Sequence, residues 1–155
     1  MMKKSCFKRN KTLFIFGLIL ILMDSVIMIA FFRGNLSGLI TLNKEFSYNL
    51  LTVCSVFGGF VYSTLGSMIG FSSNNRIKKL DYAGYMDKYY NGTYISLTLF
   101  LISILLGFIT AFSEEGLRYH IIFLFQLIFT MNALVYFTLS VLGFRRLINK
   151  IRNSE

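Results

Sequence analysis

The sequence predicts an all-α integral membrane protein: one domain, a bundle of four transmembrane helices, with both chain ends in the cytoplasm (N-in/C-in). The 155-residue chain is 55% hydrophobic, above the about 45–50% that is usual for soluble domains. Its apolar residues fall into four long blocks, as membrane spans require. Lys and Arg residues are concentrated beside alternate ends of these blocks, which favours one orientation in the bilayer.

The first predicted span covers residues 12–32, long enough to cross about 30 Å of hydrocarbon at 1.5 Å per residue. A basic segment precedes it, as in a signal peptide, but the apolar stretch is too long and no small-x-small cleavage pattern follows. We therefore expect an uncleaved helix. The other spans are predicted at residues 49–71, 94–112 and 119–144, with a polar cytoplasmic loop at 72–93 and a basic cytoplasmic tail at 145–155.

The distribution of basic residues predicts the orientation of these spans. The N-terminal segment carries five Lys or Arg residues, the 72–93 loop four and the tail four, which makes thirteen against three elsewhere: Arg33, Lys44 and Arg118. Because basic segments stay in the cytoplasm, all three should lie there. The net charge of +9 then indicates contact with anionic lipid headgroups rather than nucleic acid. Abundant Ile, Phe, Asn and Lys without Pro is typical of a bacterial protein, here expected as a multi-pass protein of the inner membrane.

Asp24 is the most informative single residue, because it lies near the middle of the first span. A carboxylate at the bilayer centre costs about 2.5–3.5 kcal/mol on insertion scales, so it should face protein or water and have a partner. Matching depths along the helices predicts a polar cluster of Asp24, Ser25, Gln126, Thr130 and Asn132. Such a carboxyl is either a structural hydrogen-bonding group in its neutral form or a proton, ion or substrate site, and both interpretations stay open.

The second span has a face of small residues. Gly59 and Ser63 recur at a spacing of four, and Gly66 and Gly70 form a GxxxG pattern. Small residues allow backbones to approach closely, which drives helix association in membranes. This face is predicted to pack either within one subunit or between subunits of a homo-oligomer.

The remaining candidate surface is cytoplasmic. Bases and tyrosines are interleaved in the loop, a composition typical of protein interfaces and also of lipid contacts, and the tail is basic. The candidate contact residues are Arg76, Lys78, Lys79, Tyr85, Arg145 and Arg146. The tail is predicted as an amphipathic extension that lies on headgroups or docks a partner. No catalytic motif, metal-ligand cluster or phosphate loop is present in the sequence, and His120 is the only histidine. We therefore expect a non-enzymatic protein without cofactor or metal.

The basic segment KKSCFKRNK, the loop SSNNRIKKLDYAGYMDKYY and the tail FRRLINKIRN together resemble the small four-span membrane subunit of the Kiwa anti-phage system. This resemblance implies a homo-oligomeric subunit of a bacterial defence complex that senses a disturbance of the envelope and anchors or activates a cytoplasmic effector. The chain is also similar in size, topology and basic tail to immunity proteins against pore-forming colicins. A small transporter or channel that uses Asp24 is a third hypothesis, although small multidrug transporters are shorter and usually carry Glu there.

Overall fold

A computed structural model describes residues 10–33, 44–71, 78, 82, 84–113 and 117–152. Its four helices are α1 (Lys11–Phe32), α2 (Lys44–Phe71), α3 (Asp87–Phe112) and α4 (Leu117–Arg152). Each is long and apolar enough to cross a membrane, and the described residues contain no strand. The predicted all-α class with four membrane-spanning helices is confirmed.

The helices are longer than the predicted spans. α2 begins at Lys44 rather than at residue 49, α3 at Asp87 rather than at residue 94, and α4 continues to Arg152 rather than ending at residue 144. Hydrophobicity marks only the part of a helix that lies in hydrocarbon, because polar residues continue the same helix into the headgroup region. Much of the predicted 72–93 loop lies outside the described residues, but its last part is the first turns of α3.

The tail also differs from its prediction. Phe144, Leu147 and Ile148 belong to α4 itself, and they pack against Met86 and Tyr89 near the start of α3. The apolar face that predicted a helix lying on headgroups is therefore used, as far as Ile148, for packing within the chain. Nothing between the span and the tail interrupts the helix, because the chain has no proline.

The helices alternate in direction. At one end of the bundle, Met68 near the end of α2 packs with Met86, just before α3, and with Phe144 of α4, and Leu13 of α1 lies against Gly92 of α3. We call this end, where the start of α1 and the end of α4 lie together, the basic end. At the opposite end, Ser47 of α2 is hydrogen-bonded to Thr110 of α3. Both ends of the described chain therefore lie at one end of the bundle, as an even number of spans requires.

Three helices form the core and the fourth lies beside it. α3 and α4 make the most extensive contact, and α2 packs mainly on α3. The central apolar cluster is drawn from α2, α3 and α4, with Cys54, Val61, Phe100 and Ala133 at its centre. In α1 only Phe31 is buried, where it packs on α4. Most of the other apolar side chains on α1 are exposed, as expected for a helix that faces lipid.

Candidate functional site

Asp24 makes the polar contact between α1 and α4. Asn132 Nδ2 donates a hydrogen bond to Asp24 Oδ2 at 2.7 Å, and both side chains are half-buried. This contact is one of those that the predicted polar cluster contained. Ser25 does not join it, because its side chain is exposed and donates to the carbonyl oxygen of Ile21 in its own helix. The carboxyl thus has one amide partner.

Gln126 lies in a separate polar group toward the opposite end of the bundle, between α2, α3 and α4. Its side chain is fully buried. Ser47 Oγ lies 3.2 Å from Gln126 Oε1 and 2.8 Å from Thr110 Oγ1, while Thr110 donates to the carbonyl oxygen of Gly107. The predicted cluster therefore divides into two, because Gln126 faces α2 and α3 whereas Asn132 faces α1.

Thr130 belongs to a third group, one helical turn away from Gln126. Thr130 Oγ1 lies 2.7 Å from Ser103 Oγ and 3.1 Å from Cys54 Sγ, and the latter is 3.4 Å from Ser103. Thr130 and Ser103 both reach the carbonyl oxygen of Gln126. Each of the three core helices supplies one short polar side chain, so the hydroxyls and the thiol are paired without water. Cys54 is a buried free thiol, and Cys6 lies outside the described residues.

The Gln126 amide shows how closely these groups are fitted. As placed, Nε2 is buried without an acceptor and would lie 2.8 Å from a Cβ built on Gly107. The two ends of an amide are exchanged by a half-turn of the side chain. In the exchanged orientation Nε2 donates to Ser47 Oγ, and Ser47 donates its proton to Thr110. The buried donor is then satisfied, which is the ordinary state of an amide inside a protein.

The seam between α3 and α4 was missed in the sequence. The buried residues of α3 recur at alternating spacings of three and four, and most are small: Thr93, Ser96, Phe100, Ser103, Gly107 and Thr110. Opposite them on α4 lie Gln126, Thr130, Ala133 and Ser140, and Ser96 donates to the carbonyl oxygen of Ala133 at 2.7 Å. A 3.5-residue repeat is the pattern of left-handed helix packing. The sequence signal for the seam is this alternating spacing of three and four, which differs from the spacing of four on α2.

The small-residue face of α2 points away from the bundle. A Cβ built on Gly59, Gly66 or Gly70 would meet nothing within 4 Å, and Ser63 is exposed. Among the described residues, none therefore packs against Gly59 or Gly66, which contradicts the alternative of packing within one subunit at these two positions. The neighbouring Gly58, one position round the helix, is the glycine that faces α3, with Phe100 Cβ at 3.9 Å.

The predicted cytoplasmic contact residues are described only in part. Arg76 and Lys79 lie outside the described residues, whereas Lys78, Tyr85, Arg145 and Arg146 are exposed at the basic end. Lys78 Nζ lies 6.0 Å from the centre of the Tyr82 ring, at the outer limit of a cation–π contact.

The described residues hold no group of three His, Cys, Asp or Glu side chains that would bind a metal ion. His120 packs edge-to-face on Tyr119 near the start of α4. Most polar side chains inside the described bundle are short and hydrogen-bond one another or nearby backbone, whereas the buried Ser140 hydroxyl has no partner. Comparison of the chain with known proteins gives no match to any protein-family model, curated protein or solved structure.

Proposed function

We propose that the chain is a non-enzymatic, homo-oligomeric subunit in the inner membrane of a bacterium, part of an anti-phage defence complex. It senses a disturbance of the envelope and anchors or activates a cytoplasmic effector. The defence role rests on the resemblance carried by the three basic segments. The observation that supports the homo-oligomer is the outward face of α2, where Gly59 and Gly66 have no neighbour among the described residues. The few contacts of α1 with the other helices support the sensing role.

The case for an oligomer comes from how the chain uses its other glycines. Gly17, Gly92, Gly107 and Gly143 each lie where an added Cβ would meet a neighbouring side chain at 2.8 Å or less. Gly59 and Gly66 have no such neighbour. In a bilayer, small residues favour association only when another backbone comes close. A second copy of α2 supplies that backbone.

The case for sensing comes from α1. It is the helix with the fewest contacts to the rest of the bundle, held by the Asp24–Asn132 bond, by Phe31, and by Tyr136, whose hydroxyl lies 3.5 Å from the carbonyl oxygen of Leu13. Interhelical polar contacts in membranes are worth about 0.6 kcal/mol on average. A change in bilayer packing that alters the free energy by a similar amount is enough to shift α1 relative to the other three helices.

The basic end offers a surface for a cytoplasmic partner. Exposed tyrosines stand beside the bases there, with Tyr82 82% and Tyr85 61% exposed. Exposed Tyr and Arg side chains commonly anchor protein interfaces. The bases exceed what orientation needs, because the two chain ends already supply nine of the thirteen on this side.

The test is charge reversal in the loop: Arg76→Glu, Lys78→Glu and Lys79→Glu together. We expect normal insertion but loss of the cytoplasmic partner in a pull-down, and loss of phage protection. The matched control reverses the three bases predicted on the other side: Arg33, Lys44 and Arg118. A loop variant that still recovers every wild-type partner would show that this surface does not dock an effector.

The second candidate function is a small transporter or channel that uses Asp24. The observation that favours it is a half-buried carboxyl within a membrane span, a position that often marks an ion or proton pathway. The single amide partner and the absence of a basic residue in the span favour a structural role instead.

A further inference from the structure

A cleft of about 250 Å³ opens at the basic end, beside the N-terminal half of α1. Phe16 of α1 and Leu139 of α4 form apolar parts of its wall, Ser140 contributes a hydroxyl, and Lys88 of α3 and Arg146 of α4 contribute charge. Both charged side chains are exposed. The cleft is separate from the α2 face and from the Asp24 contact, and it shares only Arg146 with the predicted cytoplasmic contact residues.

The lining changes in a fixed order with depth. Arg146 lies six positions beyond Ser140 on α4, so its backbone is about 9 Å farther toward the end of the bundle. Lys88 is near the start of α3, whereas Ser140 lies against Gly92, one turn deeper. Leu139 is deeper again, since it precedes Ser140 in a helix that runs toward the basic end. From the outside inward the cleft therefore presents cations at its mouth and, deeper, the Ser140 hydroxyl among apolar side chains, since Leu13 also lies against Gly92.

The hydroxyl of Ser140 supplies an independent observation. This side chain is 2% exposed, yet its Oγ has no hydrogen-bond partner. Buried polar groups normally have one, and other hydroxyls at this level of the core do: Thr93 donates to the carbonyl oxygen of Tyr89 and Ser96 to that of Ala133. A hydrogen-bond acceptor on a molecule that enters the cleft would supply the partner that the Ser140 hydroxyl lacks within the chain.

Charge decides the class of occupant. The three segments that the sequence predicts to be cytoplasmic carry thirteen Lys or Arg residues against three acids, Asp81, Asp87 and Glu155. Lys88 Nζ also lies 4.8 Å from the centre of the Tyr89 ring, which holds the ammonium at the mouth of the cleft. A basic pocket between transmembrane helices on the cytoplasmic side is suited to an anionic lipid headgroup.

We propose that this cleft binds one anionic phospholipid of the cytoplasmic leaflet. Lys88 and Arg146 hold its phosphate, Ser140 donates a hydrogen bond to an ester carbonyl of the glycerol, and one acyl chain begins between Phe16 and Leu139. The cationic mouth of the cleft matches the phosphate of the lipid, and the deeper wall of one hydroxyl and apolar side chains matches the ester and the start of the acyl chain.

The test is lipid titration of the full chain in mild detergent, followed by native mass spectrometry. The probes are phosphatidylglycerol, phosphatidylcholine with the same acyl chains, and inorganic phosphate. We expect one tightly held phosphatidylglycerol per chain. Lys88→Gln with Arg146→Gln should weaken it roughly 25-fold, since each base near an anionic surface is worth about a factor of five.

The matched control is Lys78→Gln with Arg145→Gln, which removes two exposed bases at the same end that do not line the cleft. It should bind within about twofold of wild type if the site is local rather than a general field. Equal weakening in both double variants, or equal binding of phosphatidylcholine, would overturn the proposal. Displacement of the lipid by inorganic phosphate at similar concentration would show a phosphate site and not a lipid site. Gel filtration and circular dichroism establish that both variants are folded.

Discussion

The face of α3 that meets α4 and the outward face of α2 are both lined by small residues, but their surroundings differ. On α3, Gly92 and Gly107 lie against side chains of α1, α2 and α4 so closely that no side chain would fit. On α2, Gly59 and Gly66 lie in open space. One surface is filled by the chain itself, and the other is left for something outside it.

This difference shows what a small-residue motif means in a membrane. Lipid tails are as apolar as the helices, so there is no hydrophobic force between spans and the gain comes from close packing and hydrogen bonds. At the α3–α4 seam the small residues also supply hydroxyls that cross to the next helix, as Ser96 and Ser103 do. On α2 the hydroxyls of Ser55 and Ser67 instead donate to carbonyl oxygens in their own helix. The outer face therefore offers shape without interhelical hydrogen bonds.

The largest effect is expected from a bulky residue in the inner seam. Gly107→Leu would drive a side chain into Leu51 and Gln126, both 2.8 Å from a Cβ at this position. Overpacking of this kind typically lowers the free energy of unfolding by about 1–3 kcal/mol, and a leucine at this position should lie at the upper end of that range or above it. We expect low expression and a sharply lower midpoint in SDS unfolding followed by circular dichroism. A wild-type midpoint would mean that α3 and α4 do not pack as closely as the structure shows.

The same substitution on the outer face should act on assembly and not on the fold. Gly59→Leu or Gly66→Leu meets no atom of its own chain, so each protomer should unfold at the wild-type midpoint. The oligomer should dissociate, because a large side chain prevents close approach of two α2 helices. Light scattering coupled to gel filtration measures the mass.

The control for that experiment is Thr98→Leu, which places the same side chain on an exposed position of α3 and should leave the mass unchanged. If Gly59→Leu and Gly66→Leu both retain the wild-type mass, the α2 face is not the interface, and the homo-oligomer loses its main support.

Sequence reasoning predicted what hydrophobicity controls and little of what packing controls. The four spans and their alternating direction follow from apolar blocks and basic flanks. Helical rise placed Asp24 between the levels of Gln126 and Asn132, and of these two Asn132 is the residue that contacts it. Helical rise does not give the direction in which a side chain points around its helix. The prediction therefore groups Gln126 of α4 with Asp24 of α1, although its side chain faces α2 and α3. The 3.5-residue repeat of small residues is present in the sequence of α3, but a repeat of small residues alone does not distinguish an inner face from an outer one, as α2 shows. Whether the small-residue face of α2 packs inside or outside the bundle depends on which side of α2 the other helices contact. Only the assembled bundle shows this.

The smallest effect, and the one that separates the proposed function from its competitor, concerns Asp24. In a structural role Asp24→Asn should be nearly silent, because the amide keeps a donor and an acceptor for Asn132 at similar volume. Asp24→Leu should cost about 0.6–2 kcal/mol in SDS unfolding, since the interhelical bond is lost and Asn132 is left unpaired. The double variant Asp24→Leu with Asn132→Leu should lose less stability than the sum of the losses in the two single variants, since the second substitution removes a group that already has no partner. A phage-protection assay beside a blot for protein level completes the test. Full loss of protection in Asp24→Asn at normal abundance would contradict the structural role, and would favour a transporter or channel in which this carboxyl titrates or binds an ion.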